Sequence, residues 1–360
     1  MLIIKKILYI LNLLCAIALL FTYTSAFVPQ DVFSKISLFG YFYPLFLLVN
    51  VIFIILWLLL KPRHALLSLI VIGIRFDYVI RLVNYSPNQE GGELKVLTYN
   101  VHDFIHGKEE DNSLRKAVLE DSILMYIAST KADVVCLQDY DVNISLKNGF
   151  HQQMVESLGY HNFYYYDIQN KNVSNTAIYS KYSITDANSV IEDSETKNFV
   201  IYADVKTPYQ VVRIYNLHLK SYMLGSQEKK GYKRILRGNV TDSVSKNIIA
   251  KLLDANKYRA GQIRTIVPSI ERQQKATIIC GDFNDHPFSH TYRKFSKYFK
   301  DSFVTKGSGI GRTYNGVFPA YRIDYIWYDA NRLECMGYSS ESLDYSDHYP
   351  ILSIFKIKRQ

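Results

Sequence analysis

The sequence predicts an α/β fold: two β-sheets packed face to face as a sandwich flanked by helices, preceded by an N-terminal transmembrane helical segment. Three observations carry this. Two long runs without a charged residue, Ile7–Val28 and Ile36–Leu60, stand near the N-terminus. Beyond residue 93, short β-rich runs alternate with stretches whose apolar residues recur at helical spacing. Several β-rich runs are separated only by short turns, so hairpins mix with crossovers, as two stacked sheets require.

Each apolar run is long enough to cross a hydrocarbon core of ~30 Å as a helix. Lys5 and Lys6 before the first run, and Thr24-Ser25-Ala26 near its end, also fit a signal peptide. The run is long for that and a second span follows at once, so a retained helix is favoured. Ala65–Val83 is a third candidate, apolar in its first half and carrying Arg75, Asp77 and Arg81 in its second; an interfacial helix is the alternative. In a hairpin of the first two spans, Lys5/Lys6 and Lys61/Arg63 share one side, which the positive-inside tendency makes cytoplasmic. Two spans then leave the remainder in the cytoplasm, and three, the favoured count, place it outside. Residues 1–86 are read as the membrane anchor, 87–93 (Pro-Asn-Gln-Glu-Gly-Gly-Glu) as a polar linker and 94–360 as the globular domain.

Within that domain Leu94–Val101 reads as a strand and Leu114–Ser129 as a helix. Asp133–Tyr140 follows as a buried strand. Thr176–Lys181, Phe199–Val205 and Gln210–Leu219 are β-branched and aromatic. Val244–Ile266 is a long amphipathic helix that Pro268 should end. Ala276–Phe283, Tyr321–Tyr328 and Pro350–Lys356 are further strands.

Composition excludes a disordered chain, a collagen-like chain and a disulfide scaffold: 48% of residues are hydrophobic and 21% charged. The formal charge of +9 is shared between the anchor and the domain, too mild for a surface built to coat DNA. Of the four cysteines, Cys136 and Cys280 lie in strand-like runs as buried thiols, and no spacing suggests zinc. The basic stretch Lys229–Arg237 fits a polyanion, a membrane surface or a solvated loop.

The chemistry lies at the strand ends. Thr-Tyr-Asn100, Leu-Gln-Asp139, Asn-Leu-His218, Gly-Asp282-Phe-Asn284, Arg-Ile-Asp324-Tyr and Ser-Asp347-His348-Tyr-Pro each close or open a buried run with a polar group. Asp282 and Asn284 fall at alternate positions, so both are expected to point to one face of a strand. One such residue is usually a turn former. Six together indicate one shared polar site, because polar groups at core strand ends are costly unless paired.

In this order the motifs resemble the endonuclease/exonuclease/phosphatase superfamily, which includes deoxyribonuclease I, apurinic/apyrimidinic endonucleases, inositol-polyphosphate 5-phosphatases and neutral sphingomyelinases. The resemblance runs from Leu94 to the C-terminus, and Asn175-Thr-Ala-Ile-Tyr-Ser-Lys181 is similar to another family strand. The prefix of apolar helices is similar to bacterial membrane-anchored members, implying a multi-pass protein of the inner or plasma membrane. One departure stands out: the family's Glu after Leu-Gln is Asp139 here, a carboxylate one methylene shorter.

The resemblance implies a deoxyribonuclease I-like fold and metal-assisted hydrolysis of a phosphoester, in nucleic acid or in a lipid or inositol headgroup. It implies Mg²⁺, or Mn²⁺ in its place, held by Asp139 with Asn100 and Asp347. Asp282 would activate the water and Asn284 hold the phosphate or the water. His218 and His348 would donate to phosphoryl oxygens, and Asp324 would orient the His348 ring. Asn216 and Tyr325 are expected to support the site. The lipid bilayer and the phosphoester substrate are the expected partners, with no protein partner. The alternative is a non-catalytic, membrane-anchored binding module that keeps the fold.

Overall fold

In the computed structural model, residues 2–104, 113–166, 175–193, 198–222, 242–316 and 322–359 are described. The chain opens with apolar helices. Leu2–Thr24 and Tyr43–Leu60 run antiparallel: Lys5 Nζ reaches Leu60 O (3.5 Å) at one end, while the Tyr23 and Tyr43 rings meet at the other (6.1 Å). Ile3–Thr24 and Ser34–Leu60 are long and apolar enough to cross a membrane. The second is a regular α-helix only from Tyr43, because 3₁₀ turns occupy Leu38–Phe42.

The third stretch returns as two helices, Ala65–Ile74 and Phe76–Leu82, broken at Arg75 (φ −132°, ψ 51°). Arg75 and Arg81 both bind the Asp77 carboxylate, at 2.8 and 2.6 Å. Midway along the bundle, Asn12 donates to Ser68 Oγ (2.8 Å), Ser68 to Asn50 Oδ1 (2.8 Å) and the Trp57 indole to Asn12 Oδ1 (3.0 Å). These buried groups satisfy one another, as polar residues between apolar helices do.

In chain order the strands are β1 (Val83–Tyr85), β2 (Leu94–Asn100), β3 (Val134–Gln138), β4 (Asn162–Tyr165), β5 (Thr176–Ser180), β6 (Ile184–Asp193), β7 (Asn198–Lys206), β8 (Val211–His218), β9 (Ala276–Asp282), β10 (Lys300–Asp301), β11 (Ser308–Ile310), β12 (Asp324–Tyr328), β13 (Leu333–Ser340) and β14 (Ile351–Ile357). They form two six-stranded sheets, ordered β13-β14-β2-β3-β5-β4 and β10-β12-β9-β8-β7-β6, and a separate pair β1-β11. The sheets face each other through alternate residues: Leu94, Val96, Val134 and Cys136 against Ile201, Ile214, Ile278 and Ile326. The residues between them point outward. Leu97, Tyr99 and Val135 pack on the helix Ser113–Thr130; Leu217, Ile279 and Trp327 belong to the core closed by the helix Asp242–Glu271.

That last helix runs through Pro268 and does not stop there. Proline removes one backbone bond near the helix end, and burial of Ile266 and Ile270 on the sheet holds the final turns in place. The basic stretch 229–237 lies outside the described residues.

The apolar helices pack on the domain at the Tyr23/Tyr43 end of the bundle. Phe288 inserts between the Tyr43 and Tyr78 rings (4.2 and 5.3 Å), and Arg81 Nη1 donates to Pro287 O (2.9 Å). The segment read as a linker is itself hydrogen-bonded. Asn88 Oδ1 accepts from Tyr338 N (3.0 Å), and Gln89 N donates to Met336 O (2.7 Å).

Candidate active site

The two sheets bring their polar strand ends to one edge of the sandwich. In the parallel pair β8-β9, His218 and Asp282 are register partners, and Asp324 at the start of β12 lies opposite Asp282. Asn100 ends β2, and Asp139 follows β3 in a left-handed conformation (φ 43°). Asn216 ties the sheets together below the site. Its amide donates to Leu137 O (3.0 Å) and Ala177 O (2.9 Å) and accepts from Gln138 Nε2 (2.6 Å).

Asp282 is the centre of the cluster. It is 1% exposed. Oδ1 accepts from Asn284 N (2.8 Å), and Oδ2 from the side-chain amides of Asn100 (3.0 Å) and Asn284 (3.1 Å). His218 Nε2 and His348 Nε2 approach the same Oδ2 to 3.9 and 3.7 Å. Those gaps exceed hydrogen-bond length, so both ring edges remain available to a third group. Asn284 does not continue the strand. It turns left-handed (φ 50°) after β9 ends at Asp282 and folds its amide back onto Asp282 and Leu219 O (2.9 Å). The two residues meet through this turn, not through strand alternation.

His348 Nδ1 lies 3.0–3.1 Å from both Asp324 oxygens. Burial alone would lower its pKa, but Asp324 and Asp282 raise it, to about 10, so the ring is held as an imidazolium. Burial likewise pushes the Asp282 carboxyl up, to about 6, with His348 opposing. Asp282, Asp324 and His348 are close enough together to resemble a metal cluster. Asp324 holds the His348 Nδ1 edge and leaves Nε2 facing Asp282, an arrangement suited to proton handling.

The oxygen ligands suited to a hard cation lie beside it. Asp139 accepts from the amides of Asn100 (3.2 Å) and Asn175 (3.3 Å) and keeps lone pairs toward the cleft. Among the described residues the buried His218 Nδ1 has no hydrogen-bond partner, and it lies 3.6 Å from Asp139 Oδ1. Asp347 Oδ1 meets His102 Nδ1 at 3.0 Å, and this contact raises the His102 pKa. The donor chemistry of Asp139 and Asp347 fits Mg²⁺ or Mn²⁺. Asn100 is turned to donate to both carboxylates, with its oxygen taken by His102 N (3.0 Å), so here it braces the carboxylates.

All eight residues singled out in the sequence thus join one connected set, Asp347 entering through His102. His102 and Asn175 belong to it as well. His102 stands two residues past Asn100 with φ 48°, and only that unusual backbone, invisible in the sequence, marks it. Three left-handed non-glycine residues at one site, His102, Asp139 and Asn284, fit the rule that such conformations gather where a site needs them.

A model of the Endonuclease/Exonuclease/phosphatase family matches residues 97–348, and a model described as a domain of unknown function matches residues 5–82. No curated protein matches the sequence. Solved structures share the fold. An endonuclease/exonuclease/phosphatase from Beutenbergia cavernae is 14% identical, with 74% of this chain and 72% of that chain covered and a TM-score of 0.51. The human Nocturnin catalytic domain with bound sulfate anion is 16% identical (75% and 96% covered, TM-score 0.51). A Bacteroides vulgatus endonuclease/exonuclease/phosphatase is 15% identical (74% and 99% covered, TM-score 0.50). With the family model spanning β2 to the His348 motif, the chain belongs to the endonuclease/exonuclease/phosphatase family.

Proposed function

We propose that the protein is a membrane-anchored, Mg²⁺-dependent phosphoester hydrolase acting on nucleic acid or on a lipid or inositol headgroup. The observation that carries this is Asp282, buried between two imidazoles and braced by two amides, beside the oxygen ligands Asp139 and Asp347. When bound there, a divalent cation would neutralise phosphoryl charge. Asp282 would orient the attacking water and take its proton, and a carboxyl raised toward neutrality by burial suits that role. The His348 imidazolium would donate to a phosphoryl oxygen as negative charge grows there, and His218 from the other side. Asp324 fixes the His348 ring. Asn284 would hold the water or a phosphoryl oxygen.

Three spans and an extracytoplasmic domain are part of the proposal. The domain packs at the Tyr23/Tyr43/Tyr78 end of the bundle, whereas Lys5, Lys6, Lys61 and Arg63 lie toward the opposite end, which favours the cytoplasm. The test is hydrolysis by the full chain in detergent with Mg²⁺ on DNA, RNA, sphingomyelin, phosphoinositides and a generic phosphodiester. Turnover lost in Asp282→Asn and in chelator supports the reading; no turnover on the whole panel overturns it. Protease added to intact cells should cut the domain, and full protection would return it to the cytoplasm.

A further inference from the structure

We propose that the loop between the first two apolar helices is part of the catalytic apparatus, with Gln30 and Tyr41 as positioning residues for the segments that follow His218 and Asp282. This rests on the hydrolase reading of the site. Both segments are short: Tyr222 lies four residues after His218, and Asp285 three after Asp282. One buried guanidinium joins them. Arg259, from the helix Asp242–Glu271, donates to Lys220 O (2.7 Å) and Tyr222 Oη (3.0 Å), and its Nε lies 3.8 Å from Asp285 Oδ2.

The anchor completes this arrangement. Gln30 Nε2 donates to Asp285 Oδ2 (3.1 Å), and the Tyr41 hydroxyl meets that of Tyr222. The Tyr41 ring packs edge-on against His286 (4.2 Å). Asn256 Nδ2 donates to Ser37 Oγ (2.9 Å), and Ser25 Oγ to Phe288 O (2.9 Å). Asp285 is 1% exposed and Arg259 0%, so water cannot replace a donor removed from this cluster. The surfaces also fit closely: a Cβ on Gly40 would collide with His286 Cε1 and stand 2.6 Å from Ser25 Oγ.

The consequence for chemistry follows from sequence distance. Asp285 is the residue after Asn284, whose N–H and amide both hold Asp282. A shift of the 285–288 segment is passed to the group that must orient the water. Misplacement by ~1 Å can cost about 100-fold in rate.

The test uses the full chain in detergent. Gln30→Ala and Gly40→Val are compared with Phe33→Ala, a substitution at an exposed ring of the same loop. The first two should lower kcat about tenfold with KM within about twofold, and the third should change neither. Amide hydrogen exchange over residues 283–290 should quicken in the first two variants while β7 stays protected. Unchanged kcat in both variants, or unchanged exchange in that segment, overturns the proposal. A wild type inactive on every phosphoester would sink the hydrolase reading alone, leaving the exchange measurement to decide whether the anchor orders the segment.

Discussion

Gly281→Ala tests how closely the fold sets the spacing of the strands that carry His218 and Asp282. Gly281 precedes Asp282 on β9 and pairs with Leu217, which precedes His218 on β8. Its φ is +127°, a region L side chains rarely adopt. A Cβ there would collide with the Leu217 carbonyl oxygen and stand 2.8 and 2.9 Å from Leu217 N and C. These are backbone atoms of a paired strand, so no rotamer change relieves the overlap. The backbone strain costs about 1–3 kcal/mol. Loosening one or two ladder hydrogen bonds adds about 1 kcal/mol each. A loss of about 3 kcal/mol corresponds to a fall in Tm of about 6–12 °C for a domain of this size. Because the overlap lies one residue from both His218 and Asp282, kcat should fall about 100-fold even where the variant stays folded. Differential scanning fluorimetry in detergent and phosphodiester turnover give the two readings. A Tm within 2 °C of wild type with kcat within twofold would refute the reasoning.

Asp139→Ala should abolish Mg²⁺-stimulated turnover with little change in Tm, and Asp139→Glu should retain it; a Mg²⁺ titration of all three proteins decides. His286 is buried, and burial pushes its pKa down to about 4. Its folded value lies below an unfolded value of about 6.5, so its contribution is complete above pH 6.5 and is lost as pH falls toward 4, by roughly 3 kcal/mol. His286→Phe should flatten the acid limb of Tm against pH, and an unchanged limb counts against it. Asp204 is fully buried against Arg213 (2.6 Å) and pairs with Lys275. Asp204→Asn should leave Arg213 to the exposed Asp186 carboxylate (3.1 Å) and destabilise the protein by about 3 kcal/mol in chemical denaturation, without altering KM.

The two sheets were legible because their central strands are buried on both faces and are mostly apolar up to a polar end, as in Val134–Gln138 and Ala276–Asp282. Edge strands were not. Asn162–Tyr165 and Leu333–Ser340 are part-exposed, and the latter carries a bulge near Gly337, so neither shows a clean period of two. The site was legible where a carboxylate, amide or imidazole interrupted an apolar run. Arg259 and Asp285 escaped because each lies in ordinary helical or loop sequence, and their pairing depends on how a distant helix crosses the sheet. The contact between Gln30 and Asp285 spans 255 residues, and no local pattern records it.

The short β1-β11 pair sets the slack in the attachment. Val83–Tyr85 leaves the last apolar helix and is at once paired with Ser308–Ile310, and Asn84 Nδ2 is bound to Phe303 O (2.8 Å) and Val304 O (3.0 Å). A tether of free residues would let the domain swing and sample a volume. Here the cleft is fixed at one height and tilt relative to the helices, as a tool bolted to a bench is. A ligand must therefore come to the site at that one height and tilt, because no slack tether lets the site reach out for it. Lengthening the stretch between Tyr85 and Leu94 with glycine and serine would leave that geometry intact, because the pair that fixes it lies upstream of the insertion.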